Sequence, residues 1–210
     1  LAAARVGGTV DGFAAEVTLR TPPPLDTAMS VMTDADGRVR VASGGVTIAE
    51  GARSSLSADA VPPVDRFAAE KASASYPGLT RHPFPECFVC GPDRRSGDGL
   101  RLFPGRLGDS RTACTWTVPA EFAGRPEFVW AVLDCPGGWA AELEGRPMVL
   151  GRMAARLSAL PNAGEECVVM GLLLGSEGRK TWTATTAYGV DGRELGRAHS
   201  TWLTLPAATR

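Results

Sequence analysis

Asp134 is the residue of this chain best placed for acid–base chemistry. It is the acid in the middle of an apolar-rich run, Arg125 to Gly145, reading RPEFVWAVLDCPGGWAAELEG. Apolar surroundings disfavour the charged form of a carboxyl and make it a stronger base. On a helix, Gly137 and Gly138 stand three and four residues on, so the sequence predicts a slot with no side chains over the carboxylate. The opposing reading is an Asp bonded to backbone amides freed where Pro136 breaks the helix, and position alone leaves both open. Cys135 has no histidine near it in sequence, and a buried cysteine is usually inert packing, so it is not taken as a nucleophile.

A second set is His82, Cys87 and Cys90, spaced H-x4-C-x2-C, which is half of a zinc site. Cys114, Cys135, Cys167 and His199 are the remaining Cys and His residues that could complete it. A single Cys-x-x-C is a weak signal, and the preferred reading is a tight turn ended by Gly91-Pro92 with its cysteines as apolar filler. No metal and no cofactor are therefore expected. Arg94, Arg95, Arg101, Arg106 and Arg111 gather upstream of the apolar run and offer charge for the phosphates of a ligand, Arg101 foremost. Asp93, Asp98 and Asp109 lie among them, as in an ordinary solvated loop. Trp116, Trp130, Trp139, Trp182 and Trp202 fall in predicted strands or the apolar run and read as core or tunnel wall. Of these, Trp130 and Trp139 flank Asp134.

The elements that must position these residues follow from pattern and punctuation. Pro126-Glu127 is a helix start, because proline gives up an N–H the first turn cannot use and a carboxylate there suits the dipole. Phe128 to Leu133 is apolar nearly all round, as in a buried helix. Leu1 to Arg5 reads as the tail of another helix, with Gly7 and Gly8 ending it. Phe13–Arg20, Ala28–Met32, Val39–Ala42 and Val46–Ala49 read as four strands, with turn chemistry at Asp36-Gly37 and Gly44-Gly45. Ser57 to Glu86 is rich in proline with one helical stretch, Asp65 to Ala74, and reads as an ordered linker. Strands are predicted again at Leu100–Phe103 and Thr112–Val118, and after the central helix at Met148–Leu157, Cys167–Leu174, Thr181–Tyr188 and Gly196–Leu205.

Helix then four strands thus occurs twice, an internal repeat. LAAARVGG lies over WAAELEGR, Phe13 to Pro22 over Val149 to Leu160, and Val46 to Ala52 over Arg193 to His199. The predicted domains are an N-terminal copy over 1–56 that starts inside its helix, a linker over 57–86 and a C-terminal copy over 87–210. On that repeat, the first copy's opening strand and the turn matching Asp134 would precede Leu1, and the native protein is expected to extend about 20 to 45 residues further at its N-terminus.

Composition bounds the classes. Hydrophobic residues at 44% and charged residues at 21% lie in the globular range. A net charge of −1 gives no pull toward nucleic acid. Lys71 and Lys180 are the only lysines among 22 basic residues, a compositional bias rather than chemistry. No apolar run approaches the roughly 20 residues a membrane span needs. The 5 cysteines, odd in number and irregularly spaced, suit a reducing cytoplasm.

The segment VWAVLDCPGGWAA resembles the central-helix segment of acyl-CoA thioesterases of the phenylacetate-pathway type. CFVCGPDRRSGDGLRL, Cys87 to Leu102, resembles the Cys-Gly then Gly-Leu opening of many hotdog-fold proteins. The resemblance implies an α+β double hotdog, two antiparallel sheets each wrapped around a central helix, forming within one chain the pseudo-dimer that single hotdogs make from two. Whether whole chains pair further is left open. It implies an acyl-CoA thioesterase with Asp134 as base or nucleophile, and an acyl thioester between the copies near Trp130, Gly137, Gly138, Trp139 and Arg101. In that family His-Gly-Gly opens the central helix and brings N–H groups to the thioester oxygen, whereas this chain has Arg125, Pro126 and Glu127. The departure keeps a rival in play, a non-catalytic acyl-CoA or lipid-binding module.

Overall fold

The computed structural model describes residues 2–6, 10, 12–56 and 59–206. In chain order its elements are α1 (Ala2–Arg5), β1 (Ala14–Leu19), β2 (Ser30–Thr33), β3 (Val39–Ser43), β4 (Val46–Ser54), α2 (Arg66–Ala74), β5 (Gly105–Arg106) and β6 (Arg111–Thr117). Then come α3 (Pro126–Val132), α4 (Cys135–Trp139), β7 (Met148–Leu157), β8 (Glu166–Glu177), β9 (Lys180–Tyr188) and β10 (Glu194–Thr204). A short 3-10 turn at Pro77–Leu79 follows α2. The predicted strand at Leu100–Phe103 is not one: Arg101 takes φ 51° and the Leu100 and Leu102 N–H groups bond back to Phe88 O and Val89 O, while the short pairing falls at β5 instead.

The turns behave as their residues require. Gly44 and Gly45 both take positive φ, 54° and 82°, the backbone that a two-residue hairpin between Ser43 and Val46 needs. At the β2–β3 turn, Asp34 Oδ1 accepts the N–H groups of Asp36 and Arg38 at 3.0 and 2.8 Å, and Gly37 has φ 75°.

The strands form one sheet of 10, ordered β2-β3-β4-β1-β7-β10-β9-β8-β6-β5. Two separate sheets were expected, and the difference has a simple cause. β1 and β7 would each be an open edge of its own half, and they pair antiparallel, Ala15 with Ala155 through Thr18 with Arg152, so neither edge is left unpaired. Outward from this seam the order is β1-β4-β3-β2 on one side and β7-β10-β9-β8 on the other.

Helices lie on both faces. On one, α2 covers β5 and β6, started by Asp65, whose Oδ1 accepts the Ala68 N–H at 2.8 Å. Its Ala69 and Ala72 join Val61, Ala113, Met170, Ala184 and Tyr188 in a small core. Tyr188 donates to Val61 O at 2.7 Å, and Val61 N–H donates to Thr186 Oγ1 at 2.9 Å, so the proline-rich segment is a strap bonded to the sheet. On the other face lie α3 and α4, over the largest core, which holds Trp139, Trp116, Trp202, Leu133 and Leu157. A separate cluster, Ala2, Val6, Ala15, Val39, Val41, Ile48 and Ala49, forms the core of the first half. Trp130 packs against both of these clusters.

Candidate active site at the sheet seam

The central helix is built from its prolines and glycines. Pro126 occupies its first turn, and Pro136 interrupts it. Asp134 stands in the break with φ −80° and ψ −83°, outside helical geometry. α4 then lies flat on the sheet, with Thr112 Oγ1 donating to Pro136 O at 2.7 Å. The predicted slot above Asp134 is not open. A Cβ on Gly137 would sit 2.6 Å from Thr183 Oγ1, and one on Gly138 would sit 2.8 Å from the Trp202 ring. These glycines let helix and sheet approach, and side chains of β9 and β10 occupy the space.

An apolar cleft of about 580 Å³ runs over the seam between the two halves. α1 supplies Ala2 and Ala3, β1 and β4 supply Val17 and Ile48, the segment before β2 supplies Met29, and α3 with β7 supplies Glu127, Trp130 and Met153. Of the site residues predicted from the sequence, Trp130 alone lines it, beside Pro126 and Glu127 of the helix start. Gly137, Gly138 and Trp139 are buried and outside its lining, Trp139 fully so. Arg101 is committed elsewhere: it hydrogen-bonds the carbonyls of Pro92 and Arg94, and its guanidinium lies 5.1 Å from the Phe103 ring centre. It ties down its own loop. Arg94 bonds Glu86 O, Arg106 pairs with Glu144 and Arg111 with Asp109, so these cations are also held locally.

Asp134 does not line the cleft. It lies four residues beyond Trp130, in the break between α3 and α4. Its Oδ1 is buried without a hydrogen-bond partner among the described residues, and so is Trp130 Nε1. An unpartnered acceptor and an unpartnered donor therefore stand four residues apart in sequence, the donor on the cleft-lining Trp130. Burial pushes the Asp134 carboxyl up to about 7, and negative charge on Cys87 acts in the same direction. The carboxylate is not the backbone-bonded cap of the rival reading, since α4 has no side-chain cap there.

Cys135 lies against Cys87, with Sγ atoms 3.7 Å apart, and Cys90 completes a cluster whose sulfurs all lie within 4.8 Å of one another. His82 Nε2 and Trp139 Nε1 approach Cys90 Sγ at 3.3 and 3.4 Å. Sequence spacing grouped His82, Cys87 and Cys90. The fold adds Cys135, which spacing had placed among four equal candidates. The first-half cleft residues were also missed, although the alternation that sends Val39 and Val41 inward marks that face.

No protein-family model and no curated protein sequence matches this chain. Among solved structures, a thioesterase superfamily protein aligns with 57% of this chain and 63% of its own, at TM-score 0.50 and 20% identity. The aligned part of the chain is a hotdog. The PaaI protein of the Escherichia coli phenylacetic acid degradation operon aligns with 51% of this chain and 82% of its own, at TM-score 0.47 and 10% identity. The protein smu.793 from Streptococcus mutans UA159, solved bound to acetyl CoA, aligns with 51% of this chain and 91% of its own, at TM-score 0.46 and 11% identity. The hotdog fold implied by VWAVLDCPGGWAA and CFVCGPDRRSGDGLRL therefore holds in three dimensions over the aligned part. No helix among the described residues is long and apolar enough to cross a membrane.

Proposed function

We propose that this chain is a double hotdog that binds an acyl thioester in the seam cleft and hydrolyses it with Asp134. The observation that carries the reading is the cleft itself, apolar, about 580 Å³, and walled by one helix from each half. Its size and lining suit an acyl chain, since small-molecule sites are mostly apolar with few polar groups. The two-copy part rests on the matching strand order on either side of the seam and on the antiparallel β1–β7 pair, which an approximate two-fold axis would produce.

In the reaction, Asp134 takes a proton from a water as that water attacks the thioester carbonyl carbon. The C–S bond breaks, the sulfur leaves and is protonated, and a carboxylic acid remains. Trp130 Nε1–H is the donor the described residues offer to the carbonyl oxygen as charge develops there.

Hydrolysis of a panel of acyl-CoA substrates by the full-length protein tests this. Asp134→Asn should retain the fold and lower the rate on the order of 100-fold or more, the usual size of a lost general base. Equal rates in the two proteins would refute the catalytic assignment. The binding-module reading rests on two observations: Asp134 lies outside the cleft lining, and the helix start carries a proline with Arg125 hydrogen-bonded to Glu127 and Glu121 O. On that reading neither protein exceeds the uncatalysed rate, and both bind acyl-CoA measurably by calorimetry.

A further inference from the structure

The thioester reading makes no use of Cys87, Cys90 and Cys135, nor of His82 and Trp139 beside them. Cys87 and Cys90 lie on a tight knuckle closed by the Gly91 N–H to Cys87 O bond of 2.8 Å, and Cys135 opens α4 in the break of the central helix. The two segments are 45 or more residues apart in sequence, so the convergence of three thiols is tertiary. Cys114 and Cys167 stand outside the cluster.

The distances and polar surroundings suit a metal better than packing. A tetrahedral zinc with Zn–S bonds of about 2.3 Å holds its sulfurs about 3.8 Å apart, as trigonometry requires. Cys87 and Cys135 sulfurs lie at 3.7 Å. Filler cysteines need no N–H donors. Cys90, 2% exposed, has two nitrogens directed at its sulfur, Trp139 Nε1 at 3.4 Å and His82 Nε2 at 3.3 Å. Indole nitrogen can only donate. The Phe84 N–H donates to His82 Nδ1 at 2.9 Å, which leaves the proton of the neutral ring on Nε2 and makes that nitrogen a donor as well. Two N–H groups on one buried sulfur match a thiolate, and outer donors of this kind orient metal ligands and tune their charge.

We propose that Cys87, Cys90 and Cys135 bind one zinc ion as three thiolates, with His82 and Trp139 as outer N–H donors to Cys90. This reverses the expectation of no metal drawn from spacing, and it replaces His82 with Cys135 as the third ligand. Each thiol gives up its proton to solvent as its Zn–S bond forms, and no redox change occurs. Three thiolates would leave a fourth tetrahedral position for a solvent ligand, and Cys87 is the least buried of the three. The ion joins the knuckle to the start of α4 and so fixes the break that holds Asp134.

The test uses the full-length chain purified in reductant and incubated with zinc. About one equivalent of zinc should remain after desalting, and cobalt(II) should give the visible absorption of a tetrahedral thiolate complex. Cys87→Ser and Cys135→Ser should each abolish the cobalt spectrum, and Cys114→Ser should keep it. His82→Ala should still bind but with affinity lowered roughly 10- to 100-fold, the usual effect of losing an outer partner. Circular dichroism monitors folding, and if Cys135→Ser is unfolded the half-buried Cys87→Ser alone decides. Wild-type protein that holds no zinc and gives no cobalt spectrum would overturn the site. So would a Cys87–Cys135 disulfide found by mass spectrometry in protein prepared without reductant but with zinc, or equal loss of metal in Cys114→Ser.

Discussion

At the scale of the residue, Gly137 and Gly138 show how one pattern carries two meanings. Two glycines beside an acid read as space left for a ligand, but in the fold that space holds Thr183 and Trp202. A methyl on either glycine must displace a side chain of the sheet, and overpacking of this kind costs about 1–3 kcal/mol. Gly137→Ala and Gly138→Ala should therefore lower stability by that amount in urea denaturation. Gly145→Ala, whose Cβ would meet nothing closer than 3.7 Å, should lie within about 0.5 kcal/mol of wild type. Similar loss at all three would show that close approach to the sheet is not what governs Gly137 and Gly138. Asp134 was legible as a residue of interest because an acid in an apolar run is rare. That the groove beside it belongs to Trp130 and to first-half residues was not legible, since nothing local to Asp134 encodes what α1 and β1 place nearby.

At the scale of the element, the β9–β10 turn is anchored to the start of β8 by one buried carboxylate. Glu165 accepts two bonds from Arg193 at 2.7 and 2.8 Å and the N–H groups of Asn162 and Val190 at 2.9 and 3.1 Å. The Arg193 bond, followed by those backbone donors, holds its carboxyl below the usual range. A carboxyl depressed on folding adds stability that is complete above its unfolded pKa, about 4.3, and is lost as pH falls through the lower folded value. Stability should therefore decline between those two values more steeply in wild type than in Glu165→Gln. The variant should lose about 1.5–3 kcal/mol at neutral pH, the range for hydrogen bonds to a charged group. Parallel pH–stability curves for the two proteins would count against the anchor. The Asp191-Gly192 turn itself was readable in the sequence, because Gly192 needs φ 80°. Its tie to Glu165 was not, because the partners come from different hairpins.

At the scale of the whole molecule, the seam joins everything. β1 and β7 turn two half-sheets into one, and Trp130 packs against the cores of both halves. Trp130→Ala should cost about 3 kcal/mol, as large-to-small changes at tryptophan do. Because it is shared, the loss should also speed hydrogen exchange in β1 and β4, far from position 130 in sequence. Exchange altered only around α3 would mean the two cores are independent. The sequence by itself determined the elements: strand alternation, glycine at positive-φ turns, Asp65 at a helix start, and Pro126 and Pro136 at the start and break of the central helix are local consequences of backbone sterics and hydrogen bonding. It also contained the two segments, VWAVLDCPGGWAA and CFVCGPDRRSGDGLRL, on which the hotdog resemblance rested. Only the tertiary structure decided that the two meanders share one sheet, that the cleft lies over their seam, and that Cys135 rather than His82 joins Cys87 and Cys90. Those outcomes depend on which edge meets which edge and which segment crosses which. Pairing energy between distant segments is set by their mutual packing, and no window of sequence contains both partners.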